Sequence, residues 1–449
     1  MKTLSPQPLD LSQNRLSAIM SSNSNLVDLA NNQKHAPIHK SGFRVDTAPV
    51  DPLFGLMARH KADPFPNKVD LGVGAYRDNN GKPWILPSVR KADALISSDP
   101  TLNHEYLPIA GLPDFTAGAA RLILGSTSPA IAQKRVASVQ TISGTGANHL
   151  AGLFLARFPP LGFNPSNDSN GVIYVSNPTW ANHFSIFKNV GLTVKTYPYF
   201  KADTLSLDFE GLIETLSNAS PGEVVLLHAC AHNPTGIDPS HEQWSKIADV
   251  IIERRLFPLF DCAYQGFASG DLDKDAWAVR HFVDRGIELL VCQSFAKNFG
   301  LYGERVGALH LITADEDTRS AVHSQLSLLQ RSEISNPPAY GARIASRILN
   351  NPDLFAEWQS DLTTMSSRII KMRNALRQEL IRLGTPGCWD HIVTQIGMFS
   401  FTGLSPAQVD RLVDEFHVYL TRNGRISMAG LNDHNVAYVA KAIDAVVRG

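Results

Sequence analysis

Five short apolar runs recur through the middle of this chain, at residues 136–141, 171–176, 223–231, 255–260 and 287–293, each bounded by turn chemistry. Runs of this kind read as strands buried on both faces, because a half-exposed strand would alternate with polar residues. The spacers between them are long enough for helices and too long for hairpins. Parallel strands need such crossovers, so the pattern predicts an α/β fold, a mostly parallel sheet flanked by helices. Sheets of that kind bind ligands outside the carboxyl ends of their strands. The residues that follow each run are therefore the ones to weigh.

After the first run, Ser143-Gly144-Thr145-Gly146-Ala147 opens a helix reaching to about residue 158. Free amides, hydroxyls and the helix dipole make this an anion cradle, the plainer alternative being an ordinary helix start. It is neither a G-x-G-x-x-G turn nor a P-loop. The second run ends near Trp180 and His183. An indole there either stacks on a planar heterocycle or packs at a domain boundary. The third ends in His232-Asn233-Pro234-Thr235-Gly236, turn chemistry that can also offer the Asn233 amide to a ligand oxygen.

The fourth run closes with Asp261 and Tyr264. A buried carboxylate needs a partner, and nothing basic adjoins it in sequence. The partner comes from elsewhere in the fold or is a protonated ligand nitrogen. The fifth run gives way to Ser294, Lys297 and, past two glycines, Arg305. A lysine partly desolvated at such a place has a lowered pKa and an amine free to attack a carbonyl; taken alone it reads equally well as a solvated loop residue. A shorter strand near residue 70 runs into Gly72-Val73-Gly74-Ala75-Tyr76, where glycine either lets backbone approach a ligand or ends the strand. Together these strand ends supply an anion cradle, an aromatic plate, a carboxylate, a tyrosine and an amine. That inventory fits pyridoxal phosphate. A nicotinamide enzyme would not need the lysine, and a kinase would need metal-binding carboxylates.

Bulk properties narrow the partners. With 41 basic and 42 acidic residues the net charge is -1, which argues against a nucleic-acid or membrane-surface footprint. No apolar run approaches the length of a membrane span. Cys230, Cys262, Cys292 and Cys388 form no C-x-x-C pair. Three of them lie in or just beyond predicted strands, so buried free thiols in a reducing compartment are expected rather than disulfides or a metal site.

The motifs also resemble a known family. Ser294-Phe295-Ala296-Lys297-Asn298 with Gly303-Glu304-Arg305-Val306-Gly307 is similar to the signature of the aspartate aminotransferase family, class I, fold type I pyridoxal-phosphate-dependent enzymes. The turns at Gly72, Ser143, His232, Asp261, Ser335-Asn336-Pro337-Pro338 and Gly424-Arg425-Ile426-Ser427 match in order, from about residue 45 to the end. The likeness is strongest to the eukaryotic cytosolic form, particularly the fungal one. It implies a large domain with a mostly parallel sheet plus a smaller α+β domain. It implies a homodimer with shared active sites, exchanging amino groups between L-aspartate and 2-oxoglutarate to give oxaloacetate and L-glutamate by a ping-pong route.

By the same resemblance Lys297 would hold pyridoxal phosphate as a Schiff base, Asp261 would pair with the ring nitrogen, and Tyr264 and Asn233 would meet the ring's phenolic oxygen. Ser143, Gly144, Thr145, Ser294 and Arg305 would grip the phosphate, with Tyr106 reaching over from the other subunit. Trp180 would stack on the ring and His183 would support Asp261. Arg425 would clamp the substrate α-carboxylate, Arg331 of the other subunit the distal one, and Gly74 would give a backbone contact near the substrate.

Residues 1–44, rich in Ser and Asn, read as a disordered extension, with a cleaved transit peptide and a mitochondrial address as the other reading beside a cytoplasmic one. Residues 45–83 with 365–449 are expected to form the small domain and 84–364 the large one. Asn148 and His149 depart from the resemblance, since relatives usually carry an apolar residue first at that place; the change is expected to affect helix packing and no assigned phosphate donor. An aromatic or broad-specificity aminotransferase on the same scaffold is the nearest rival reading.

Overall fold

The computed structural model describes residues 45–48, 51–164 and 170–449. The extension expected at residues 1–44 lies outside them. From Asp51 to Gly449 the chain forms one compact unit, built on a seven-stranded sheet. Its strands are β1 (Val136–Ile142), β2 (Val172–Asn177), β3 (Thr193–Pro198), β4 (Val224–His228), β5 (Phe257–Cys262), β6 (Leu289–Ser294) and β7 (Val306–Ile312). The spatial order is β1-β7-β6-β5-β4-β2-β3. From β6 to β3 every pairing is parallel. β7 runs antiparallel between β1 and β6.

Alternate residues of each strand feed separate cores. Val225, Leu227, Phe260 and Val291 pack on one face. Leu226, Leu259, Leu290 and Leu309 pack on the other. Both faces are covered by helices, which is why these strands read as continuous apolar runs rather than alternating ones. The five runs seen in the sequence are β1, β2, β4, β5 and β6. β3 and β7 are additions: β3 has only Tyr197 buried along its length, and β7 follows the Arg305 motif directly.

Two placements shift slightly from the sequence reading. Asp261 and Ser294 sit inside the last turn of pleat of β5 and β6 rather than beyond them. Each is therefore held by ladder hydrogen bonds and not by a loop.

The remaining elements bring distant stretches to the same side. Asp51 caps the helix Pro52–Ala62 through the amides of Leu53 and Phe54. Val69–Asp70 then pairs parallel with Val418–Tyr419, and Phe399–Phe401 pairs antiparallel with Arg425–Ser427. A long helix, Pro352–Leu383, is started by the Asn351 cap and Pro352 and stopped by Gly384 at φ +64°. Its Trp358 indole donates to the carbonyl of Asn298 at 2.8 Å and stacks on Phe299, 4.4 Å between ring centres. The loop that follows Lys297 is thus braced from beneath by a buried aromatic pair.

Candidate active site

A cavity of about 240 Å³ opens at the carboxyl ends of the parallel strands, and Lys297 and Asp261 both line it. Ser143, Gly144, Thr145, Trp180, Asn233, Tyr264, Ser294 and Arg305 line the same cavity, from five separate strand ends. His183 stands one contact behind, against Asp261.

The anion cradle is assembled by β7. The Ser143 amide donates to the Arg305 carbonyl at 3.0 Å, and the Phe295 amide to the Val306 carbonyl at 3.0 Å. Gly307 lies between Thr141 on one side and Ser294 on the other. A Cβ there would overlap the backbone of Ser143, so glycine lets the turn at Ser143 seat directly on the strand. A Cβ on Gly144 would come within 2.9 Å of the Ser294 Cβ. Ser143 and Ser294 face each other, Oγ to Oγ 3.4 Å. Arg305 anchors one end of its guanidinium on the Tyr302 carbonyl at 2.8 Å. The result is a small cup of hydroxyls and amides at a helix N-terminus (Ser143–Arg157) with an arginine beside it, suited to a phosphate.

Across the cavity, Asp261 accepts from His183 Nε2 at 3.0 Å. Thr179 Oγ1 lies 2.9 Å from His183 Nδ1 and 3.3 Å from His228 Nε2. His228 Nδ1 in turn accepts the Asn233 amide at 3.1 Å. That last bond fixes the tautomers. His228 takes a proton on Nε2 and donates to Thr179; Thr179 donates to His183 Nδ1; His183 therefore donates from Nε2 to Asp261. Burial holds the His228 imidazole neutral, with a pKa of about 3. Burial alone would raise the Asp261 carboxyl, but the His183 hydrogen bond and the nearby imidazoles outweigh it and hold it below the usual range. Among the described residues no Lys or Arg lies within 4 Å of it, and the imidazole that does is neutral in this tautomer. The carboxylate can therefore still receive a cationic nitrogen from the cavity.

Burial lowers the Lys297 amine to about 8, with the positive charges of Arg305 and Arg425 adding to the effect and Asp261 opposing it. Its Nζ lies 5.0 Å over the Tyr302 ring, and the Tyr302 hydroxyl accepts the Tyr76 amide at 2.9 Å. Burial raises the Tyr264 hydroxyl far above its ordinary pKa, with Arg425 opposing the shift. Tyr264 therefore stays protonated and can donate.

Arg425 and Gly74 meet beside this cavity. The Arg425 guanidinium stacks 4.3 Å over Phe399 and donates to the Gly72 carbonyl at 2.9 Å. Its Nε is buried without a partner among the described residues. A Cβ on Gly74 would come within 3.0 Å of the same phenyl ring. Two expected residues lie outside. Tyr106 is 87% exposed, and Arg331 is exposed on the helix Glu316–Glu333, bonded to Ser335.

His228 and Thr179 were not singled out in the sequence. Register could have found the first, since His228 stands directly opposite Asp261 on adjacent strands. Asn148 corrects an expectation: it is bonded to the carbonyl of Gly144, one of the assigned phosphate residues, at 3.0 Å, and it lines the cavity. Three cysteines are buried free thiols and Cys388 is exposed.

An amine lowered to about 8, an ionised carboxylate with room for a cation and a phosphate cup in one cavity fit pyridoxal phosphate. The fold and site thus define a fold type I pyridoxal-phosphate enzyme. Residues 66–443 match the family described as Aminotransferase class I and II. The chain is 53% identical over 408 residues to a cytoplasmic aspartate aminotransferase of Schizosaccharomyces pombe, covering 91% of this chain and 98% of the relative. It is 52% identical over 404 residues to the cytoplasmic aspartate aminotransferase of Gallus gallus, covering 90% and 97%. Among solved structures, an aspartate aminotransferase from Saccharomyces cerevisiae cytoplasm superposes with a TM-score of 0.86 at 53% identity, covering 90% of this chain and 98% of that one. The chain belongs to the class I and II aminotransferase family.

Proposed function

We propose that this protein transfers amino groups reversibly between L-aspartate and 2-oxoglutarate, forming oxaloacetate and L-glutamate by a ping-pong route. The observation that carries the reading is the shared cavity of Lys297 and Asp261. When bound, pyridoxal phosphate supplies an aldehyde for the amine and a ring that accepts electrons.

The residues then divide the work. Ser143, Gly144, Thr145, Ser294 and Arg305 hold the phosphate. Asp261, kept ionised by His183, would keep a proton on the ring nitrogen, without which the ring accepts electrons poorly. Tyr264 and Asn233 would meet the ring's phenolic oxygen, and Trp180, which lines the same cavity, would supply a stacking face. Lys297 Nζ would hold the cofactor through its aldehyde and, once released, would serve as a positioned base for the proton on the substrate Cα. Its lowered pKa leaves part of it neutral near pH 7, where an ordinary lysine is fully charged.

Arg425 receives the α-carboxylate, because a planar guanidinium with an open edge matches a carboxylate bidentately and an ammonium does not. Gly74 brings backbone close to the same place. We assign the distal carboxylate to Arg331 of the partner subunit, and a phosphate contact to Tyr106 of the partner subunit. Both side chains face solvent in the single chain, and neither lines its own cavity. We further propose residues 45–83 with 365–449 as the smaller domain, joined through the Val69–Val418 pairing, and 84–364 as the larger. The names of the fission-yeast and chicken relatives support a cytoplasmic location.

Purified protein should show a visible cofactor band that changes on adding aspartate and returns on adding 2-oxoglutarate. Turnover with aspartate should exceed that with phenylalanine. Faster turnover of phenylalanine would replace this reading with an aromatic aminotransferase on the same scaffold.

A further inference from the structure

Asn148 is the sixth residue of the helix that begins at Ser143, and it is fully buried. Its Nδ2 donates to the Gly144 carbonyl at 3.0 Å. It also lines the cavity together with Asp261 and Lys297. Its Oδ1 is buried with no hydrogen-bond partner among the described residues. Exchanging the two amide atoms would not repair this, since Oδ1 would then face the Gly144 carbonyl.

A buried acceptor without a partner weakens a fold, and a leucine of similar size would fill the space with no such penalty. Packing therefore does not explain the amide. Groups that weaken a fold in this way are expected at functional sites. An amide NH2 has two protons. One goes to Gly144, in the turn that cups the phosphate; the other is left free on a side chain that lines the same cavity as Asp261. We propose that Asn148 is a positioning residue for the cofactor, its amide tying the phosphate turn to the carboxylate that meets the pyridine nitrogen. The side chain is among those whose hydrogen bonding favours the ionised form of Asp261, which agrees with this placement. It acts through Gly144 and Asp261, not on the reacting atoms.

The inference rests on the proposed cofactor site, and wild-type protein measured in parallel keeps the two separable. Full-length wild type, Asn148→Leu and Asn148→Ser are stripped of cofactor and titrated with pyridoxal phosphate carrying a 15N label in the ring. Asn148→Leu should bind the cofactor three- to tenfold more weakly. Its ring-nitrogen signal should move toward the unprotonated position, while the melting temperature of the stripped protein equals or exceeds that of wild type. Asn148→Ser has one hydroxyl proton, which bonds back to the Gly144 carbonyl. It should show the same nitrogen shift with the turn contact kept. An unmoved nitrogen signal and wild-type affinity in Asn148→Leu overturn the proposal. So does a lowered melting temperature with an unmoved signal, which would make the amide a packing element. Failure of the wild type itself to bind the cofactor would overturn the site and this inference together.

Discussion

Lys297 sits in a buried pocket with Arg305 and Arg425 near enough to disfavour its charge, and the shift from 10.5 to about 8 is worth about 3 kcal/mol. The sign follows from the protons. Below about pH 8 both the folded and unfolded chains hold the proton, and the buried charge weakens the fold in full. Between about 8 and 10.5 the unfolded chain binds more protons than the folded one, so stability rises with pH until both are neutral. Stripped Lys297→Met protein should therefore be more stable than stripped wild type near neutrality, and the gap should close above pH 10. Denaturant unfolding at the two pH values measures it, and a gap independent of pH would show that the amine is not desolvated as described. Lys297→Ala should lose turnover by several orders of magnitude yet still take up pyridoxal phosphate, because the phosphate and ring contacts remain. Borohydride should fix cofactor to the wild type and not to the variant; labelling of another lysine would displace Lys297 from its role. At this scale the sequence was legible where chemistry sat at a strand end. Lysine, aspartate, arginine and the Ser-Gly-Thr turn announce themselves there. His228 and Thr179 do not, because their meaning lies in which strands are neighbours, and register is not written locally. Asn148 was visible as an oddity, but only the packing revealed what it touches.

Strand β7 carries the next lesson. Its sequence, Val306 to Ile312, is fully buried, yet its direction against β1 and β6 is invisible to periodicity, which reports burial and not orientation. β3 escaped for the opposite reason, since an exposed edge strand with one buried residue leaves little pattern to read. The parallel part of the sheet was legible because two-sided burial gives unbroken apolar runs. β7 also explains the phosphate cup, as Gly307 lets the Ser143 turn lie against the strand. Gly307→Ala should destabilise the protein by about 1–3 kcal/mol or more, because the clash is with backbone that cannot rotate away. It should also weaken cofactor binding, as the turn is pushed off Ser294. Gly303→Ala is the control, for a Cβ there meets nothing within 4 Å. Equal cofactor affinity and equal melting temperature in the two variants would remove β7 from the account of the cup.

A single copy of the chain holds every proposed cofactor group but Tyr106 and only one of the two proposed carboxylate clamps. Arg425 is in place, half-buried and stacked on Phe399, whereas Arg331 is exposed and lines no part of the cavity. A dicarboxylate held at one end only would gain little over a monocarboxylate, and on the proposed reading the second cation is Arg331 of another copy of the chain. Arg331→Asp should accordingly lose activity on aspartate much more than on aromatic or basic amino acids, since a like charge facing the distal carboxylate costs several kcal/mol. A mixed dimer decides whether the residue acts across the interface. One chain carries Lys297→Ala and the other Arg331→Ala. If Arg331 serves the opposite subunit, one site collects both defects and the other is native, and about half the wild-type activity toward aspartate returns. If Arg331 serves its own chain, each site carries one defect and none is intact. Mixed dimers as inactive toward aspartate as the two parent variants would rule out the shared site, and with it the explanation of why two arginines so far apart in the sequence belong to one reaction.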